Sequence, residues 1–113
     1  MEQEIGATLE EFKKYISKGK YRILPRDENY LLFEDFCITE DERKQILLDL
    51  KLEEFKKKDK SRNKKINGYV YIFNKRVQLL HRYLNEIVDV NLYIKISSYI
   101  DKNVIVISFH ESL

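Results

Sequence analysis

The sequence of 113 residues contains one cysteine, one proline, three glycines and no tryptophan. A single thiol cannot form an internal disulfide, so a disulfide-stapled domain is excluded. Cys37 lies in the apolar run Phe36-Cys37-Ile38, which favours a small buried hydrophobe over a nucleophile. No Cys/His cluster has zinc-ligand spacing, so neither a zinc site nor any other cofactor is expected.

Long apolar runs and targeting segments are missing as well. No run of about 18 apolar residues occurs, and the start Met1-Glu2-Gln3-Glu4 lacks the basic and apolar regions of a signal peptide. No repeat, low-complexity tract or linker divides the chain. With 43% hydrophobic residues, the sequence predicts a single cytoplasmic domain covering residues 1–113.

The charges are distributed unevenly along the chain. Residues 1–55 carry 9 Lys/Arg against 14 Asp/Glu, whereas residues 56–113 carry 12 against 5. The basic second half could meet a polyanion, or the two halves could attract one another within one globule. The charge distribution alone leaves both readings open.

Helical spacing is typical of the first half of the chain. Thr8 with Glu11 and Thr39 with Glu42 have the spacing of capping boxes, and Gly19 supplies a stop signal. Helices are therefore expected at residues 9–18, 29–36 and 40–50, within a helical part of about 8–50. The apolar residues in 51–58 fit both the helical and the strand period, so neither element is predicted there.

The second half begins with a basic run, Lys56–Lys65, which contains seven Lys/Arg and one Asp. Such a run is either a solvated loop or a contact surface for nucleic acid. A sheet part is expected over about 66–111, with a strand at Tyr69–Phe73 and a helix inserted at about 75–88 on the helical spacing of its apolar residues. Two further strands, Leu92–Ser98 and Val104–His110, close the chain. The order predicts an α+β fold, with N-terminal helices packed on a mainly antiparallel C-terminal sheet.

Side-chain alternation in the terminal hairpin predicts its register. Apolar residues meet apolar residues if Ile94 faces Phe109 and Ile96 faces Ile107. That register also makes Tyr93 and His110 direct neighbours on the opposite, polar face, with Lys95 and Ser108 one step further along.

This polar group has the chemistry that RNA cleavage needs. A base must take the 2′-hydroxyl proton, cations must stabilise the phosphorane, and an acid must protonate the leaving 5′-oxygen. Imidazole titrates in the right range for proton transfer, and a lysine can neutralise developing charge. The same residue types also occupy ordinary exposed strand faces, so His110 could equally be a surface histidine and Tyr93 a packing residue.

Two blocks of the sequence resemble the motility quorum-sensing regulator (MqsR) family of toxins. The first is the terminal hairpin, Leu92-Tyr93-Ile94-Lys95-Ile96 followed by Val104 through Glu111. The second covers the front: Leu9, Lys13 and Lys14, then the Gly19-Lys20 exit, and then Ile46-Leu47-Leu48-Asp49-Leu50 before Glu54-Phe55-Lys56-Lys57. Together with Val70 and Tyr71, these blocks span most of residues 8–111.

The resemblance implies a RelE/microbial-ribonuclease-like fold and a metal-independent endoribonuclease that cuts mRNA and is held inactive by an antitoxin protein. The family's catalytic lysine corresponds to Lys57 and its tyrosine to Tyr93. The lysine of its last strand is replaced by His110, and its glutamine falls near Gly68, which has no side chain to replace it.

These considerations give His110, Tyr93 and Lys57 as candidate catalytic residues. The candidate RNA-binding residues are Lys56, Lys58, Lys60, Arg62, Lys64, Lys65 and Lys95. The competing interpretation is a catalytically inactive module, on the same fold, that binds RNA or protein. A DNA-binding regulator ranks last, because no helix-turn-helix stands out and the basic residues do not follow a recognition helix.

Overall fold

The computed structural model describes residues 2–62, 68–100 and 103–112, without the side chains of residues 2, 3 and 98–100. The helices in these parts are α1 (Glu2–Ser17), α2 (Asp27–Asp35) and α3 (Glu40–Leu48), followed by a 3₁₀ helix at Leu52–Glu54. The strands are β1 (Tyr21–Ile23), β2 (Phe55–Lys60), β3 (Tyr69–Leu80), β4 (Ile87–Ile100) and β5 (Asn103–Glu111).

The strands form one sheet in the order β1-β5-β4-β3-β2. Neighbours are antiparallel except for β1, which pairs in parallel with β5. The α+β prediction is therefore confirmed: helices precede a mostly antiparallel sheet and pack against it. In the part of the chain that the structure describes, none of the helices has the length and apolar character needed to cross a membrane.

The helix boundaries follow the predicted signals in part. Thr39 is the N-cap of α3, and its hydroxyl accepts a hydrogen bond from the Glu42 amide at 3.1 Å. The capping role predicted for Thr8 is wrong, because α1 begins at Glu2 and the Thr8 hydroxyl donates to the carbonyl of Glu4. Ile5 extends the apolar stripe by one turn and is buried, so packing lengthens the helix beyond the local cap. Gly19, with φ of 76°, follows the end of α1 as expected.

The predicted helix at 75–88 is wrong. The segment continues β3 to Leu80, turns, and enters β4 at Ile87. Val77 faces Val90 across the strands, on the side of the sheet that packs on the helices. By contrast, Leu84 and Ile87, which suggested the helical spacing, are 61% and 70% exposed. Long-range pairing with β4 therefore overrides the local pattern.

Of the two readings of the basic run, the solvated loop does not hold for its first part, Lys56–Lys60. Residues 52–54 form the 3₁₀ helix, and Phe55–Lys60 is an edge strand that pairs with β3. The 3₁₀ helix and most of this strand fall within residues 51–58, for which the sequence predicted no element. Charged side chains, lysine especially, are common on edge strands, where they discourage pairing with other chains.

The main core lies on only one face of the sheet. Side chains of α1, α2 and α3 meet Tyr71, Phe73 and the even-numbered residues of β4 from Val90 to Ile96. Val70, Ile72 and Ile105 are also buried but belong to the opposite face, outside that core. We call this opposite side of the sheet the open face.

Candidate active site on the open face

The register of the β4–β5 hairpin agrees with the prediction over its first half. Tyr93 pairs with His110, Ile94 with Phe109 and Lys95 with Ser108. The predicted pairing of Ile96 with Ile107 is wrong, because a β-bulge shifts the register and Ile96 pairs with Val106. One extra residue inverts the alternation, so that Val104 and Val106 reach the core while Ile105 lies on the open face.

The rings of Tyr93 and His110 stack on one another. Their centroids lie 5.3 Å apart, with 21° between the planes, and both side chains are half-buried. The Nδ1 atom of His110 lies 3.0 Å from the carbonyl oxygen of Glu111. A proton on Nδ1 would be donated to that oxygen and would leave Nε2 as the available base. The two groups therefore share a surface that the helices do not cover.

Four residues form one row across the open face beside this pair. Lys57 of β2 pairs with Ile72 of β3, which pairs with Lys95 of β4, which pairs with Ser108 of β5. We call this set, Lys57–Ile72–Lys95–Ser108, the cationic row. Adjacent rows on one face are about 7 Å apart, so Lys95 lies next to Tyr93 and diagonal to His110, whereas Lys57 is two strands from Tyr93 and three from His110.

A cleft of about 580 Å³ lies over the β2–β4 part of the cationic row, with Tyr93 on one side and Val70 and Asp59 on the other. Five candidate residues line it: Lys57, Lys60, Arg62, Tyr93 and Lys95. Asp59 also contributes, with its carboxylate 3.1 Å from the Lys57 ammonium. His110 is not part of this lining and lies on the other side of the Tyr93 ring. The cleft thus combines four cationic residues with one phenol, and the imidazole stands at its margin.

Other candidates are not brought to the cleft. The Lys58 ammonium lies on the helix-covered side, 4.2 Å from the centroid of the Tyr69 ring and 3.9 Å from the Glu4 carboxylate. Lys56 falls at the bulge of β2 between Phe55 and Lys57, with an exposed side chain. Lys64 and Lys65 lie outside the described residues.

Two further residues reach the open face that sequence reasoning did not select. Asn74 pairs with Tyr93 and so forms a second row, Asn74–Tyr93–His110, which places an amide beside the phenol. The alternation of side chains in Tyr69–Phe73, continued by one residue, places Asn74 on the open face. The helix predicted from residue 75 onward stopped the strand before it. Arg26 donates a hydrogen bond to the Ser108 hydroxyl at 3.2 Å. No local pattern marks Arg26, because its position depends on the parallel pairing of β1 with β5.

The other histidine, the cysteine and Gly68 do not contribute side chains to the cleft. His81 accepts hydrogen bonds from the amides of Tyr83 and Leu84 through Nδ1 and contacts Phe36, so its ring is engaged within the β3–β4 turn. Cys37 is only partly buried. Gly68, the residue before β3, has no side chain to replace the glutamine that the resemblance places near it. Among the described residues, no three His, Cys, Asp or Glu side chains are grouped to hold a metal ion.

The arrangement can bind a phosphate and move protons beside it. Lys57 and Lys95 can neutralise a phosphate, and the phenol and imidazole can exchange protons with neighbouring oxygens. Comparisons of the chain with protein-family models, curated proteins and solved structures gave no match.

Proposed function

We propose that this protein is an endoribonuclease toxin of a toxin–antitoxin pair, which cuts mRNA and thereby blocks translation and growth. The observation that carries the proposal is the stacked Tyr93–His110 pair beside the cationic row on the open face. Such a surface offers a phosphodiester both charge stabilisation and proton transfer without any rearrangement of the helices.

The proposed reaction is an attack of a 2′-hydroxyl on the adjacent phosphorus. His110 takes the 2′-hydroxyl proton through Nε2, Lys95 stabilises the charge on the crowded phosphorane, and Lys57 attracts the phosphate chain from the β2 side of the cleft. The bond between phosphorus and the 5′-oxygen breaks, and Tyr93 supplies the proton that the leaving oxygen needs. The products are a 2′,3′-cyclic phosphate and a 5′-hydroxyl end. This scheme uses no metal ion.

The sequence resemblance to MqsR toxins supports the same proposal. Lys57 and Tyr93 occupy matching positions and line one cleft, and the α+β order of elements is compatible with the RelE-like fold that the resemblance implies. His110 stands where the family has a lysine, so an imidazole replaces an ammonium among the proposed catalytic groups. An antitoxin protein that covers this surface is the partner we propose.

Cleavage of a defined single-stranded RNA by the purified protein tests the proposal. We expect cutting in EDTA, with cyclic-phosphate and 5′-hydroxyl ends. His110→Ala should lower the rate by at least about 100-fold, because general acid–base catalysis contributes roughly that much. Tyr93→Phe, which keeps the stacked ring but removes the hydroxyl, should lower it by at least about tenfold. Lys14→Ala, an exposed cation on α1, is the matched control and should cut like the wild type.

Two results would contradict this assignment. One is an intact transcript after incubation with folded wild-type protein; the other is undiminished cutting by His110→Ala. Growth and transcript integrity after expression without any partner give the corresponding test in cells.

Two observations favour a second candidate function, a catalytically inactive binding module. Gly68 leaves the expected amide position without a side chain, and His110 lies outside the cleft lining. RNA binding by the wild type without cleavage would favour this module. Activity that depends on Asn74 would count against it, since Asn74 places an amide beside Tyr93.

A further inference from the structure

Arg26 lies at the β5 end of the cationic row. It precedes α2, and its Nη1 group donates to the hydroxyl of Ser108 at 3.2 Å. Ser108 is only 2% exposed and faces Lys95 across the strands. The guanidinium is therefore held on the open face by a buried partner, although Arg26 is 82 positions away from Ser108 in the chain.

The guanidinium of Arg26 is partly exposed and only partly engaged by its neighbours. Its side chain is 43% exposed, and its ion pair with Glu28 is long, at 3.7 Å. A guanidinium has five N–H donors in a planar fork that matches the geometry of a phosphate. One hydrogen bond to a serine hydroxyl and one long ion pair leave other N–H groups able to donate to the oxygens of such a ligand.

The cationic row gives the length of the path across the open face from Lys57 to the Arg26–Ser108 pair. Lys57 and Ser108 are separated by three strand-to-strand steps, which corresponds to about 14 Å. Lys95 lies between them, beside Tyr93. Cations thus occur at the β2 side, in the middle and at the β5 side of one face, at right angles to the strands.

We propose that Arg26, positioned by Ser108, forms a second phosphate-binding position, so that single-stranded RNA crosses the open face from β2 towards β5. This inference rests on the proposed function and extends it from the reacting phosphate to the path of the substrate. The half-exposed Tyr93 and His110 rings lie along this path, where unpaired bases could stack. A duplex has its bases stacked internally and would not use such a surface.

The test is binding of a single strand of about 12 nucleotides whose 2′-hydroxyls are methylated, so that binding is separated from cleavage. Removing one phosphate contact lowers the slope of log affinity against log salt by about 0.7 for single strands. Arg26→Ala should show this change and bind several-fold more weakly, while Arg26→Lys should restore the slope. Lys14→Ala, which also loses one positive charge, should keep the wild-type slope.

A dinucleotide probe adds a second readout. It carries a single phosphate, which cannot occupy the cleft and the Arg26 position together, so Arg26→Ala should bind it in the cleft as the wild type does. An unchanged slope with the longer strand, or an equal loss with both probes, would overturn the second phosphate position. Tighter binding of a duplex would overturn the single-strand path.

These outcomes are separate from those of the cleavage assay. Binding that responds to Arg26 in a protein that cuts no RNA would refute the endoribonuclease and keep the phosphate position. Absence of RNA binding by the wild type would refute both. Thermal unfolding of each variant shows whether a loss reflects the fold instead.

Discussion

Tyr21 shows how the fold changes the chemistry of a single residue. Partial burial raises the pKa of its phenol above the ordinary value of 10.0, and the nearby carboxylate of Glu40 raises it further. Arg43 acts in the opposite direction and lowers the pKa, but burial has the larger effect. The folded state therefore holds this proton more tightly than the unfolded chain does.

That difference predicts a loss of stability in alkaline solution. The contribution is complete below pH 10.0, the unfolded pKa, and is lost as the pH rises through the higher folded pKa. Tyr21→Phe cannot ionise, so its unfolding free energy should fall less than that of the wild type between neutral and strongly alkaline pH. Urea unfolding of both proteins across this range measures the difference. Parallel curves would show that Tyr21 contributes nothing to the pH dependence.

At the scale of elements, β2 separates neighbouring lysines onto different faces. Lys57 points into the cleft, whereas Lys58 packs over the Tyr69 ring and approaches Glu4 of α1. The sequence grouped them as one basic run. Because side chains alternate along a strand, the run has two different surroundings.

This alternation predicts opposite results for two adjacent substitutions. Lys57→Ala should lower the salt slope of RNA binding by about 0.7 and leave stability almost unchanged. Lys58→Ala should keep the RNA slope and cost about 0.5–1 kcal/mol of stability, because the cation–π contact with Tyr69 is lost. Salt titrations and denaturant unfolding of both variants provide the comparison. Equal effects on RNA binding would show that the run acts as a loop.

The β3–β4 hairpin shows why the helix predicted at residues 75–88 is wrong. Val77 and Leu79 have strand spacing and point towards the core, while Leu80, Leu84 and Ile87 mimic a helical stripe but are exposed. The turn is fixed by contacts made far along the chain, since Arg82 donates to the carbonyls of Phe33 and Glu34 at the end of α2. The spacing of apolar residues within one segment contains no information about such long-range contacts.

At the scale of the whole molecule, Asn29 joins the helices to the edge of the sheet. Its side-chain nitrogen donates to the carbonyls of Leu24 and Ile107, and its oxygen accepts from the Phe109 amide. Asn29 is 1% exposed and satisfies backbone groups of β5 next to the stretch that pairs with β1. One amide thus substitutes for a short piece of strand, and it holds β5 where Arg26 reaches Ser108.

Removing this amide should weaken the whole domain. Asn29→Ala leaves buried backbone groups of Phe109 and Ile107 without their partner and should cost about 2–3 kcal/mol. Tyr30→Ala, at the neighbouring position where the side chain is 54% exposed, should change stability by less than about 0.5 kcal/mol. Denaturant unfolding gives both values. A small cost for Asn29→Ala would mean that water replaces the amide at this edge.

The sequence by itself determined the α+β class, the cap of α3 and the pairing of Tyr93 with His110. These features depend on short-range periods and on one tight hairpin, which local residue order encodes. Tertiary structure decided the bulge near Ile107, the strand at 75–80, the side on which each lysine lies, and the approach of Arg26 to Ser108. Each of these depends on packing between segments far apart in the chain, where the free energy of burying the whole core outweighs local preference.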